Sequence, residues 1–328
     1  MPNNHSPLVS VIIPTYNRPD LLVRSINSVL CQTHPNLELV VVDDRSENDT
    51  NKNLVNDYAV RDPRVKYVRN DYHTKGIPGA RNQGVDVAIG QYIAFLDDDD
   101  EWFPIHIKES VAELEKHRDI DWIFSRTEEI KNDKVAYTTD FSKSFKRYKI
   151  TQRDDLFVLE HDHLFENFIQ YPRSIFLGCS LIRRTVFEKL KFDETIKYMD
   201  DLLFKMEAVY HSLNLAYINS VHLRYYMHDR NSSNINPEKP AYERIKANED
   251  MARFYERLFS KLQLKDDALR VVKRALADVY FWTLGYTYLQ IDNPSKARAF
   301  LLKGFLLNPL KMKYWKTFLL RYIFRIPL

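Results

Sequence analysis

Over the first hundred residues, short unbroken apolar runs alternate with stretches whose apolar residues recur at helical spacing. LVSVIIP (Leu8 to Pro14) is apolar and β-branched, which predicts a strand buried on both faces. Leu22, Ile26, Val29 and Leu30 follow on one helical face, with Pro19 near its start. LELVVVDD predicts a second buried strand, NKNLVNDYAV a short helix and VKYVRN a third strand. GIPGARNQGVDVAIG predicts a turn leading into a helix that ends at Gly90, and YIAFLDD a fourth strand. Strands spaced by helix-length segments predict a mostly parallel sheet with crossover helices, an α/β fold of Rossmann-like type. Such sheets bind ligands beyond the carboxyl ends of their strands. Those ends carry PTYNR, VDDRS and LDDDD, so Tyr16, Asp43, Asp44 and Asp97 to Asp100 are expected along one edge. Four adjacent carboxylates repel one another, and a cation or ligand hydroxyls would relieve them.

The middle of the chain mixes strand-like pieces (DWIFSRTEEI, KVAYTT, LAYINSVHLRYYMH) with helical ones (TVFEKLKF, DDLLFKMEAVYHS). It reads as a continuation of the same domain. Beyond Pro240 the pattern is helical. The order Trp282, Leu284-Gly285, Tyr288, Ala297, Pro309 is loosely that of one tetratricopeptide unit, and a single unit predicts a helical hairpin. The expected organisation is residues 1–105 as the ligand-binding half of one domain, 106–236 as its second half, and 237–328 as a helical extension with a basic tail.

A formal charge of +3 over 328 residues describes an ordinary globular chain, and no nucleic-acid partner is expected. Only 7 glycines argue against a Gly-rich phosphate loop. Cys31 and Cys179 stand far apart, which excludes a thiolate metal site and suits a reducing compartment. No secretory pattern opens the chain, and no apolar run reaches the roughly 18 residues of a membrane span. A cytoplasmic protein is expected. After Asp292, Lys and Arg occur without any Asp or Glu, ending in KMKYWKTFLLRYIFRIPL. Two readings of that tail stand: a helix with a solvated basic face, or a segment lying on an anionic membrane surface.

The stretches VSVIIPTYNR, LELVVVDDRSEND, GIPGARNQG, YIAFLDDDDEW, YMDDLLFKM and YYMHDRNSS occur in this order between Leu8 and Ser233. Together they resemble the family 2 glycosyltransferases of the GT-A fold. The resemblance implies inverting, metal-dependent transfer from a nucleoside diphosphate sugar, with UDP favoured, to a glycan or lipid-linked glycan hydroxyl. It implies Mn2+ or Mg2+ with Asp99 as the main ligand, and Asp97 and His228 as further candidates. Oxygen donors suit such hard cations. Asp97 and Asp98 would serve the ribose, the donor sugar or metal-bound water. Asp44, with Asp43 beside it, would read the base, and Tyr16 would lie against the base. Pro14, Thr15 and Arg18 belong to the same donor-side stretch, as do Arg81 and Asn82 at the start of the third helix. Asp201 matches the general base. Asp200 stands where the family has Glu, a departure that leaves its own role open. His161 and His163 resemble a zinc pair in isolation, but a loop near the acceptor is the expected reading. Two competing classes are a non-catalytic nucleotide-sugar-binding module and a sugar-nucleotide nucleotidyltransferase. The second wants a Gly- and Arg-containing loop after the first strand, where this chain has PTYNRPD.

Overall fold

The computed structural model describes residues 6–170, 175–197, 199–228 and 240–318. The chain divides into two compact units, Met1–Asp229 and Arg230–Leu328.

The first unit is a mixed α/β layer. Its strands are β1 (Val9–Thr15), β2 (Leu37–Asp43), β3 (Val65–Arg69), β4 (Tyr92–Phe95), β5 (Glu101–Trp102), β6 (Trp122–Lys131), β7 (Lys134–Thr138), β8 (Ile150–Arg153), β9 (Leu156–Leu159), β10 (Ser180–Arg183) and β11 (Leu215–Tyr226). They form one sheet in the order β3-β2-β1-β4-β10-β6-β11-β9-β8, with β5 on β11 and β7 on β6. The first four strands are mutually parallel. The intervening helices are α1 (Pro19–Leu30), α2 (Thr50–Arg61) and α3 (Ile77–Val87). β1 and β2 are buried along their whole length, as expected of strands covered on both faces. A Cβ on Gly84 would stand 2.4 Å from Ile12 Cγ2, so α3 lies closer to β1 than any other residue at that position would permit.

β10 enters antiparallel between β4 and β6, so strands from both sides of residue 105 share one sheet. The remaining helices of this unit are α4 (His106–Lys116), α5 (Phe141–Ser144), α6 (Leu164–Gln170) and α7 (Asp200–Tyr210). TVFEKLKF, expected as a helix, forms only a 3-10 turn over Arg184–Glu188. Val186, Phe187, Leu190 and Phe192 are all buried from it, because this segment packs its rings on Phe95 and Phe204 and does not expose a polar helical face.

His106, at the start of α4, and His222, on β11, are fully buried with their Nδ1 atoms 3.2 Å apart. Burial lowers the pKa of both, with the other imidazole adding to the effect at His106 and Glu109 opposing it at His222. The stability this pair contributes is therefore full above the unfolded value of about 6.5 and is lost as pH falls from there towards the folded values. The expected outcome is that the stability deficit of His106→Gln, read by urea melts, narrows between pH 7 and pH 5.5. A constant deficit would show that the pair does not titrate in this way.

The second unit is helical: α8 (Ala241–Lys261), α9 (Asp266–Asp278), a π-helical stretch Val279–Gly285, α10 (Tyr286–Gln290), α11 (Pro294–Leu307) and α12 (Met312–Phe318). Leu276, Tyr280, Leu284, Tyr288 and Ala297 form one core. Phe281, Leu301 and Tyr314 form another, with the Phe281 and Tyr314 rings stacked at 4.1 Å. Residues 319–328 of the basic tail lie outside the described residues, as do Arg230 and Ser233.

Candidate active site

The parallel half of the sheet delivers its strand ends to one edge. The chain leaves β1 and β2 through left-handed residues, Asn17 (φ 53°) and Arg45 (φ 65°), which turn the loops sharply over that edge.

Asp44 is buried at the end of β2 and accepts a hydrogen bond from Asn70 Nδ2 (2.7 Å) and another from the Gly76 N–H. Its pKa is raised because burial outweighs these bonds. Asp43 faces into its own turn and accepts from the Ser46 N–H at 2.6 Å. Tyr16 is partly exposed beside them, donates to Glu47 Oε1 (3.2 Å) and carries the Lys75 ammonium over its ring at 4.2 Å. The Asp44 N–H donates to Thr15 O (2.8 Å), so the Asp44 carboxyl and the Tyr16 ring follow directly on the paired ends of β2 and β1.

The four acids after β4 have separate environments. Asp97 is half-exposed, while Asp98, Asp99 and Asp100 are buried. Thr15 Oγ1 donates to Asp98 at 2.7 Å. Arg18 reaches both Asp98 and Asp99 at 3.1 Å. His228 Nε2 lies 3.2 Å from Asp99 Oδ2. Asp100 accepts from the Tyr226 N–H (3.1 Å), and Arg24 bonds the Asp99 carbonyl while lying over the Tyr226 ring. Burial and the neighbouring Asp99 charge push Asp98 up to about 7, and burial with adjacent carboxylates raises Asp99 and Asp100 also. Pro14 lies buried within β1 and makes no N–H contact.

Arg81 links the two halves of the site. Buried on α3, it donates from Nη1 to Asp200 Oδ2 (2.7 Å) and from Nη2 to Asp97 Oδ1 (3.0 Å). Burial opposes its charge, but Asp200 and Asp97 outweigh burial and raise its pKa. Asp200 and Asp201 open α7, directly after Met199, a left-handed non-glycine residue at φ 68°. Burial raises Asp200 to about 6, with Arg81 opposing and Asp201 adding to the rise. Asp201 is half-exposed and bonded to Lys205 Nζ at 2.8 Å. Burial pushes it up, but Lys205 and Arg81 overcome that and hold it below the ordinary carboxylate value. The helix N-terminus favours the same ionised state.

Asn82 is buried and engaged on both sides. It donates to Phe192 O (3.0 Å) and Glu194 Oε1 (2.8 Å) and accepts from the Phe192 N–H (3.0 Å). Glu194 carried no signal in the sequence, yet it also accepts from the Thr74 N–H (2.8 Å) and pairs with His73 (2.6 Å). Arg45 holds the same loop through Asn70 O and His73 O. Burial works against Glu194, but the Asn82 and Thr74 bonds with His73 hold it down at about 2. These bonds tie the loop carrying Asn70 and Gly76, the partners of Asp44, to α3. Glu194→Gln is expected to raise the donor KM about tenfold while kcat moves less than twofold, the loss of one charge-assisted bond. Equal loss in both constants would overturn this positioning role.

Asp97 and Asp99 offer oxygen atoms, and His228 an imidazole, of the kinds that a hard divalent cation accepts, but only Asp99 and His228 of the three are in direct contact. Among the described residues no three acidic, His or Cys side chains converge as a ready-made cage, so ligand oxygens would have to complete the coordination. His161 bonds Asn214 Oδ1 (3.0 Å), and no third metal donor joins it and His163 among the described residues.

A parallel half-sheet whose strand ends carry buried acids, continued by antiparallel strands into one sheet, is the arrangement of the GT-A fold. The protein-family description Glycosyl transferase family 2 matches residues 10–190, more than half of the chain, and the chain belongs to that family. It is 28% identical over 229 residues to an uncharacterized glycosyltransferase of Methanocaldococcus jannaschii, covering 69% of this chain and 73% of the relative. It is 44% identical over 95 residues to the GalNAc(5)-diNAcBac-PP-undecaprenol beta-1,3-glucosyltransferase of Campylobacter jejuni, covering 29% of this chain and 30% of that one. Among solved structures, S. aureus TarS 1-349 in complex with UDP-GlcNAc matches at TM-score 0.56 and 19% identity, covering 89% of this chain and 90% of that one. The last likeness bears on fold alone.

Proposed function

We propose that this glycosyltransferase moves a sugar with inversion from a nucleoside diphosphate sugar, UDP-linked by preference, to a hydroxyl of a lipid-linked or surface glycan at the inner face of the cell membrane. The observation that carries this reading is the Arg81 bridge, which sets the donor-edge acid Asp97 and the first acid of α7, Asp200, on one guanidinium. Asp201, the neighbour left half-exposed and ionised, is the proton acceptor that an attacking hydroxyl needs. Asp200, buried against Arg81, positions that arginine. Asp44 accepts a ring N–H of the base, and Tyr16 covers the base face. Asp99, Asp97 and His228 would hold a divalent cation, Mn2+ or Mg2+, which when bound supplies charge neutralisation at the departing diphosphate. Arg18 keeps Asp98 and Asp99 in place beside it. The undecaprenol-linked acceptor of the Campylobacter relative supports a lipid-linked substrate class.

Calorimetric titration of UDP with and without Mn2+ tests the reading. Metal-dependent binding that Asp99→Ala abolishes is the expected result. No binding of UDP, dTDP or GDP under either condition would overturn it in favour of a non-catalytic module.

A further inference from the structure

The second unit exposes an apolar surface of its own. On α11, Ala297, Leu301 and Gly304 are buried in the helical core. A Cβ on Gly304 would fall 2.7 Å from the Ala277 carbonyl oxygen, so this face is pressed against α9 and the π-helical stretch. The opposite face is apolar too: Leu302 is 49% exposed and Leu306 67%. The turn after it and α12 continue the strip with Leu310 at 89%, Met312 at 77% and Trp315 at 42%. A helix apolar on both sides is not satisfied by one core. Scattered exposed leucines are ordinary, but five exposed large apolar residues between Leu302 and Trp315 mark a surface that something covers.

Charge identifies the cover. From Asn293 onward the chain contains Lys and Arg and no acid. Lys303, Lys313 and Lys316 are exposed among the apolar residues, whereas Lys311 is paired with Asp278. A second copy would set like charges against like. An anionic lipid surface accepts both components, since apolar side chains enter the acyl boundary while lysines reach the headgroups. Among the described residues no helix is long and apolar enough to cross a membrane, so the contact would be peripheral.

We propose that the outer face of α11 and α12, centred on Leu306, Leu310, Met312 and Trp315 and flanked by Lys313 and Lys316, docks the protein on an anionic phospholipid bilayer. The surface belongs to the second unit, whereas the sheet-edge site belongs to the first, and it names the membrane partner that the proposed function needs.

Flotation of the 328-residue chain with vesicles of equimolar phosphatidylglycerol and phosphatidylcholine, against phosphatidylcholine alone, tests it. The chain is expected to float with the anionic vesicles only. Leu306→Glu with Leu310→Glu, and separately Lys313→Gln with Lys316→Gln, are each expected to lower the bound fraction about tenfold or more. Unchanged thermal melts and UDP binding show that the variants are folded and keep this test independent of the sugar-transfer reading. Binding unaffected by either pair, or equal binding to neutral vesicles, would overturn the proposal. So would a concentration-dependent mass in light scattering that Leu306→Glu abolishes without any flotation of the parent, which would assign the face to a second copy.

Discussion

Asp201→Asn is expected to lower kcat for sugar transfer by about a thousandfold, within the usual span of general-base catalysis. UDP affinity should stay within about twofold, because the amide preserves the side chain's shape and a bond to Lys205, and the proposed role concerns the attacking hydroxyl and not the nucleotide. The pH profile separates the two acids of α7. Asp201 is held below the ordinary carboxylate value, so its ionised form persists as pH falls from 7 to 5. Asp200 is pushed up to about 6, so protonation there weakens its bond to Arg81 over that same interval. An acid limb of kcat/KM near pH 6 would therefore report Asp200, whose loss loosens the bridge, and Asp200→Asn should remove the limb. Measured turnover of Asp201→Asn close to that of the parent enzyme would rule out Asp201 as the base.

Arg81→Met has the second large expected effect, and it falls on both stability and turnover. The guanidinium is buried between Asp97 and Asp200. Removing it leaves Asp200, itself buried, without its cation beside the charge of Asp201. Breaking a buried pair in this way costs about 3–5 kcal/mol. Urea denaturation at pH 7.5 is expected to show a loss of that order, and the loss should shrink towards pH 5 as Asp200 takes up a proton. That sign follows from the raised pKa: protonation neutralises the charge that the substitution strands. Arg81→Lys is expected to recover part of the stability and little of the turnover, because one ammonium cannot reach both carboxylates in the guanidinium's fork. Full activity in Arg81→Met would remove the bridge from the mechanism.

What could be read from the chain alone follows from how local each signal is. β1 runs Val9–Thr15 against an expected Leu8 to Pro14, and β2 runs Leu37–Asp43 against Leu37 to Asp44, because an unbroken β-branched run bounded by turn residues needs no distant partner to declare itself. The acids at the strand ends were legible for the same reason, since a parallel sheet sends its carboxyl ends to one edge whatever the packing elsewhere. The four residues of β10 were not, because their strand exists only through pairing with β4 and β6, far away along the chain. TVFEKLKF carries helical spacing, but packing its aromatic rings against Phe95 and Phe204 outweighed that local preference. Glu194 offered no motif at all, and its importance arises from three groups that the fold gathers around it, the Thr74 N–H, Asn82 and His73.

By itself, then, the sequence determined the alternation of strands and helices, the edge to which the carboxylates are delivered and the family to which they belong. Tertiary structure alone decided how the identical Asp side chains divide their roles. Asp97 is half-open against Arg81 while Asp98 to Asp100 are buried, and Asp200 is sealed against Arg81 while Asp201 is half-open beside Lys205. A carboxylate's charge state depends on burial and on which cation the fold sets within a few ångströms, and neither quantity is written in the order of the residues.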